Sequence, residues 1–203
     1  MGASVQERDR TRLVLKQSIK NAVLSHQKVA EAINDDVVEN ISSIIEQIVN
    51  ILKRDGTIFW CGNGGSAAQA NHLSAEMVGG MFKEKNEPLK SLCLNVDTSF
   101  ITAWSNDDSF NSIFTRQIQS LCSKNDIVIM LSTSGNSENL ILAADYCKQN
   151  NVTVVSFTGN DGGKLISLSD YNIHIKSDCT QRIQEMHILI GHIICAEVEN
   201  YFK

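Results

Sequence analysis

His72 and Glu76 stand four residues apart in the stretch WCGNGGSAAQANHLSAEM, residues 60–77. On a helix that spacing puts an imidazole and a carboxylate on one face. Such a pair can hold a divalent metal, and its carboxylate can also act as a base. Taken alone, so short a pattern is more often a surface polar pair or a helix-capping contact. The preceding GNGGS turn, residues 62–66, lets the backbone bend tightly and approach a ligand at Asn63, Gly64 and Gly65. Many strand-to-helix turns use glycine and asparagine, and this one is not G-x-G-x-x-G, so it gives a dinucleotide little support.

A second cluster lies in LSTSGNSEN, residues 131–139. Ser132, Thr133, Ser134 and Ser137 crowd four hydroxyls around Gly135. The first turn of a helix leaves backbone N–H groups unpaired and carries partial positive charge. A phosphate fits there without a lysine. One such hydroxyl reads as a helix cap, whereas four directly after an apolar strand read as a phosphate cradle. No GK[ST] follows, so this is not a Walker A loop. The third stretch is RIQEMHILIGH, residues 182–192. Gln184 and His187 share a helix face, and His192 lies about 12 Å beyond Gln184 at the helical rise. Either histidine reads equally well as a core residue with a satisfied hydrogen bond.

These residues need elements to hold them. Residues 7–30 form a charged amphipathic helix. A second helix is capped at Asn34, Asp35 or Asp36 and carries an apolar stripe from Val37 to Leu52. Asp55-Gly56 ends it, with Gly56 suited to the left-handed conformation. Strands and helices then alternate: TIFWCG, SLCLNV, DIVIMLS, VTVVSFT and YNIHIK are five strands, each followed by helical sequence, and the last helix covers Thr180 to Tyr201. The alternation predicts an α/β fold, a doubly wound five-stranded parallel sheet flanked by helices. GNGGS and STSGNS then both fall at the carboxyl edge of the strands, where such folds bind ligands.

The chain has 203 residues, 42% of them hydrophobic, which suits a single domain spanning 1–203 with residues 1–55 as a helical extension. A formal net charge of −5 and the lack of a long basic run argue against nucleic acid as a partner. A local anion site remains compatible with that charge. Cys61, Cys93, Cys122, Cys147, Cys179 and Cys195 are scattered without a CxxC pair, which reads as reduced thiols in a reducing, cytoplasmic compartment. MGASVQERDRTR has no apolar signal core, Gln6 breaks the myristoylation pattern, and no run is long enough to span a membrane.

In order and spacing, GNGGSAAQANHLSAE, SNDDSF, LSTSGNS and RIQEMHILIGH resemble the bacterial phosphoheptose isomerases, enzymes of the sugar-isomerase (SIS) fold. The resemblance covers about residues 40–200. It implies interconversion of sedoheptulose 7-phosphate and D-glycero-D-manno-heptose 7-phosphate through an enediol, the first step toward ADP- or GDP-heptose for lipopolysaccharide, capsule or other surface glycans. It implies one zinc ion per subunit on residues matching His72, Glu76, Gln184 and His192, with Glu76 as base and His192 as acid. Substrate contacts carried over by the match are Asn63, Gly64, Gly65, Glu76, Asn106, Asp107, Ser132, Thr133, Ser134, Ser137 and Gln184. It implies a homotetramer with sites where subunits meet, the N-terminal helices packing between them. Two departures stand out. The family's Gly-Arg dipeptide after the glutamate reads Gly79-Gly80 here, with Lys83 and Lys85 nearby, and Gln181 stands where Ala or Asp is usual. Gly80 feeds an alternative of a different class: a non-catalytic SIS protein that binds a sugar phosphate, or a partner such as the replication initiator. On one straight helix, Gln184 and His192 reach one metal only if long side chains converge or a neighbouring subunit supplies one of them.

Overall fold

The computed structural model describes residues 5–82 and 87–203, with side chains from Thr11 onward. Lys83 and Lys85 lie outside the described residues. In chain order the elements are α1 (Val5–Glu31), α2 (Asp35–Lys53), β1 (Ile58–Gly62), α3 (Gly65–Gly79), β2 (Ser91–Cys93) and α4 (Thr98–Asp107). A 3-10 turn (Phe110–Ser112) leads into α5 (Ile113–Leu121), β3 (Ile127–Ser132), α6 (Glu138–Gln149) and β4 (Thr153–Gly159). The chain ends with α7 (Leu165–Leu168), β5 (Tyr171–Ile175) and α8 (Thr180–Tyr201). The strands lie in the order β2-β1-β3-β4-β5 and every pairing is parallel. The expected doubly wound α/β sheet is therefore the observed one.

Strand side chains alternate between two faces. Ile58, Trp60, Ile129, Leu131, Val155 and Phe157 pack with α2, α3 and α8 in one apolar layer. Phe59, Cys61, Val128, Met130 and Val154 pack with α5, α6 and α7 in the other. The central strands β1, β3 and β4 are buried on both faces, which is why they read as nearly continuous apolar runs, whereas the edge strands β2 and β5 are partly exposed. The winding of the chain reverses between β1 and β3, so the loops after these two strands border the crevice where open α/β sheets bind ligands.

Two local details differ from the sequence expectation. Asp55, not Gly56, takes the left-handed conformation after α2, with φ of 68°. Gly56 is needed for space instead: a Cβ there would lie 2.2 Å from the Asn125 carbonyl oxygen. β2 stops at Cys93, short of the expected Val96, because Asn95 turns its carboxamide onto β1. It accepts from Gly62 N at 3.2 Å and donates to Gly62 O at 2.9 Å, replacing a strand pairing with a side chain.

α2 starts as expected, with Asn34 Oδ1 accepting from Val37 N at 3.2 Å. Among the described residues, α1 packs against the body over its C-terminal part, where Val29 and Ala30 meet the apolar layer. Arg182 donates to Ala22 O, and His26 Nδ1 meets Glu185 Oε2 at 2.7 Å. Leu13, Val14, Leu15, Ile19 and Val23 on this helix are exposed. Among the described residues no helix is long and apolar enough to cross a membrane.

Candidate active site

α3 and α8 cross the same sheet face side by side. Contacts at Gly65–Gln184, His72–His192, Leu73–Gly191 and Gly80–Glu199 keep a nearly constant offset, so the two helices run parallel. The helices pack closely at Gly191, where a Cβ would come within 2.5 Å of Leu73 Cδ1. One residue further along α8, and one residue back on α3, stand His192 and His72. Their Nε2 atoms are 2.8 Å apart and the rings meet edge to face. One nitrogen must carry a proton and the other a lone pair. His72 Nε2 is also 3.5 Å from Glu76 Oε1. Three side chains from two distant segments thus converge. The cluster lies at the surface of the single chain, with the His72 side chain 47% exposed and Glu76 26%.

Gln184 lies elsewhere on the same helix seam. Its carboxamide rests on Gly65, where a Cβ would fall 2.6 Å from Gln184 Nε2. Its backbone carbonyl accepts from Gln69 Nε2 at 2.7 Å. The structure therefore gathers His72, Glu76 and His192 at one point and leaves Gln184 beside the glycine turn, about 10 Å back along α3.

The hydroxyl cluster follows β3 and precedes α6. Ser132 Oγ accepts from Gly135 N and Ser134 Oγ accepts from Asn136 N, both at 3.1 Å. Each hydroxyl still has its own proton to donate. Ser137 sits at the start of α6 without a side-chain cap bond, and Thr133 is half-buried. Gly135 has φ of 63° and no room for a Cβ, which would lie 1.9 Å from Gly162 O. The loop after β4 backs the cradle: Leu165 N donates to Gly135 O at 3.0 Å and Lys164 N to Asn136 Oδ1 at 3.1 Å. Asn106 and Asp107 bond each other at the exposed end of α4, and among the described residues no hydrogen bond ties them to either loop.

A family model for the SIS domain matches residues 24–159. The curated phosphoheptose isomerase of a Nitratiruptor species is 40% identical over 186 residues, covering 92% of this chain and 99% of that one. That of a Helicobacter pylori strain is 41% identical over 184 residues, covering 91% and 95%. The chain belongs to the phosphoheptose isomerase family of SIS-domain proteins. Among solved structures, a phosphoheptose isomerase from Neisseria gonorrhoeae is similar with a TM-score of 0.86 and 34% identity, over 92% of this chain and 99% of that one. One from Francisella tularensis gives 0.83 and 27%, over 94% and 98%.

Against the phosphoheptose isomerase pattern, Gly80 has a structural reason. It ends α3 with φ of 80° and ψ of 142°, a region that is essentially glycine's alone. The buried Glu199 carboxylate accepts from the next amide, Met81 N, at 2.7 Å. The chain turn here is built for glycine, not for the arginine of the family.

Spacing decides whether the donor set fits a divalent metal. Two imidazole nitrogens on one tetrahedral zinc lie about 3.4 Å apart. The His72–Glu76 separation of 3.5 Å already matches, and the 2.8 Å between the histidines must open by about half an ångström. Among the described residues no three of His, Cys, Asp and Glu stand as a ready-formed metal cluster. The imidazoles are instead drawn into a hydrogen bond, so the set fits a zinc ion after a small ring movement. Cys195 lies near Glu76. Burial first, and then the Glu76 and Glu199 charges, push its thiol up to about 12, so it is protonated at neutral pH.

Two further groups were missed or left open in the sequence. Asn139, 2% exposed, forms a reciprocal amide pair with Asn63: each Nδ2 donates to the other's Oδ1, at 2.9 and 3.0 Å. Its only signal was a polar residue in a helical turn otherwise spent on packing. His187 is a core residue: Nε2 bonds Thr158 O at 3.1 Å, Nδ1 is buried without a partner, and burial lowers its pKa to about 4.

Proposed function

We propose that this chain is a phosphoheptose isomerase that interconverts sedoheptulose 7-phosphate and D-glycero-D-manno-heptose 7-phosphate. The observation that carries the reading is the convergence of His72, Glu76 and His192 across the α3–α8 seam, in a chain 40% identical to a phosphoheptose isomerase over nearly its whole length. Isomerisation needs a base beside the reacting carbon, an acid for the oxygen and a fixed far end.

Glu76 takes the proton from the carbon beside the carbonyl while His192 gives a proton to the carbonyl oxygen. The product of that step is an enediol. Return of the Glu76 proton to the former carbonyl carbon, with the other hydroxyl proton going back to His192, gives the aldose. His72 orients both groups through its contacts with them. A zinc ion on His72, Glu76 and His192 would supply electrophilic stabilisation of the developing oxyanion, with Gln184 completing the set only from a neighbouring subunit. The phosphate end fits Ser132, Thr133, Ser134 and Ser137 at the α6 N-terminus. Asn63, Gly64, Gly65, Asn106 and Asp107 are the remaining substrate contacts in this reading.

We further infer a homotetramer in the cytoplasm, acting at the first step toward nucleotide-activated heptose. The exposed apolar length of α1 and the open side of the His72–His192 cluster support an assembly in which neighbouring subunits cover both. The non-catalytic alternative has Gly80 in its favour, and the intact His72, Glu76 and His192 set against it. Purified protein incubated with sedoheptulose 7-phosphate, with and without added zinc, tests the reading by formation of the aldose. No turnover at any zinc concentration, with substrate still bound, would establish the non-catalytic alternative.

A further inference from the structure

We propose that Asn139 is a positioning residue that locks the phosphate loop to the GNGGS turn through the Asn63 carboxamide. The inference rests on the isomerase reading above and assigns a role to a residue outside the expected site. The two loops border the crevice between β1 and β3 and belong to different strand-helix units. β1 and β3 pair only as far as Gly62 and Leu131. Beyond that point the backbone ladder no longer holds the loops in register.

Asn139 takes over there. It sits on the first turn of α6, is 2% exposed, and exchanges two hydrogen bonds with Asn63. A carboxamide has two donors and two acceptor sites. The reciprocal pair consumes one of each on Asn63 and fixes the plane of its side chain. The Asn63 backbone carbonyl in turn accepts from Ser66 N at 3.0 Å, so the lock extends into the first turn of α3, the helix that carries His72 and Glu76. On the other side it sits two residues after Ser137 and four after Gly135. The pair therefore spans the anion-holding end and the helix with the proton-moving groups. Its consequence is a fixed distance between phosphate and reacting carbon, which makes binding of the phosphate productive for proton transfer.

The test compares wild type with Asn139→Ala and the near-isosteric Asn139→Asp on two substrates, sedoheptulose 7-phosphate and the same sugar without phosphate. The expected result is a fall of about a hundredfold in kcat/KM for the phosphorylated sugar, seen in kcat as well as KM. For the phosphate-free sugar the expected change is under about threefold, because the lock has no far end to hold. Asn63→Ala with Asn139→Ala should cost no more than either change alone. An equal fall on both substrates makes Asn139 merely structural and overturns the proposal, as does full activity of both variants. Backbone hydrogen exchange needs no turnover and keeps this inference separate from the isomerase reading. Asn139→Ala should speed exchange at Ser66 and Ala67, in the first turn of α3. A change confined to the start of α6 overturns the lock even in an active enzyme.

Discussion

The sharpest test of the α3–α8 seam is Gly191→Ala. The added methyl carbon would stand 2.5 Å from Leu73 Cδ1 and 2.8 Å from Cδ2. Ordinary carbon contacts lie at about 3.5–4.0 Å, so the deficit is about 1–1.5 Å. Leu73 is wholly buried among residues of the larger apolar layer and has little room to turn aside. The helices must therefore part by about an ångström next to His72 and His192. Their nitrogens, now 2.8 Å apart, would pass beyond both a hydrogen bond and the spacing of about 3.4 Å on a shared zinc. A misplacement of this size costs about a hundredfold in kcat/KM. Stability should change much less. Overpacking costs about 1–3 kcal/mol, offset by about 1 kcal/mol from replacing a mid-helix glycine. The net loss is about 0–2 kcal/mol, or about 0–8 °C in Tm for a chain of this size. Steady-state kinetics with zinc present and a thermal melt on the same sample measure both. Adding Leu73→Ala should restore part of the activity at a further cost in stability. Wild-type kcat/KM in Gly191→Ala with an unshifted Tm would refute the claim that this glycine sets the spacing of the two histidines.

Three more outcomes follow from other parts of the molecule. Glu76→Gln should abolish measurable turnover while leaving Tm within a few degrees, since the side chain is partly exposed and the amide keeps its shape; wild-type rates would remove Glu76 from the base role. Ser134→Ala should raise KM about tenfold with kcat little changed, and an unchanged KM makes that hydroxyl only a loop brace. His187 is held neutral, with its pKa lowered from 6.5 to about 4 by burial. Between those two pH values the unfolded chain binds the proton and the folded one does not, so stability falls as pH drops, by about 3 kcal/mol over the window. Denaturant unfolding at pH 7 and pH 4.5 should show a smaller difference in His187→Gln than in wild type, and an equal difference would assign the acid sensitivity to other groups.

The sheet was legible because burial on both faces makes each of the central strands β1, β3 and β4 an apolar run, and most of the strands are punctuated by glycine, asparagine or serine at the carboxyl end. The end of β2 was not legible. SLCLNV continues the apolar pattern to Val96, yet Asn95 leaves the ladder to bond Gly62 through its side chain. Periodicity sees hydrophobicity, not which amide a carboxamide will replace. Gly56 was misread for a related reason. A glycine after a helix suggests φ, whereas this one answers the Asn125 carbonyl, a residue far along the chain. Asn139 escaped notice because its partner is 76 residues away and a single asparagine has no periodic signature.

The separation of Gln184 and His192 on one helix is an obstacle to a common site only while α8 is considered alone. α3 runs beside it, parallel and in step, so each position on α8 has its counterpart on α3. Gln184 faces Gly65 and His192 faces His72, with the intervals matched along both helices. The chemistry is therefore laid out along a seam rather than at a point, with the amide near the glycine turn and the imidazoles with the carboxylate deeper down. A sugar phosphate is itself a long molecule with an anion at one end and the reacting carbons at the other. Parallel helices are what this requires: both N-termini then lie at the carboxyl edge of the sheet, beside the anion, while the side chains one and two turns down reach the opposite end. An antiparallel α8 would carry its first turn, and Gln184 with it, to the far edge of the sheet. α3 and α8 each leave the carboxyl end of a parallel strand, β1 and β5, and run back over the same face, so the residues of RIQEMHILIGH meet those of GNGGSAAQANHLSAE in the same order.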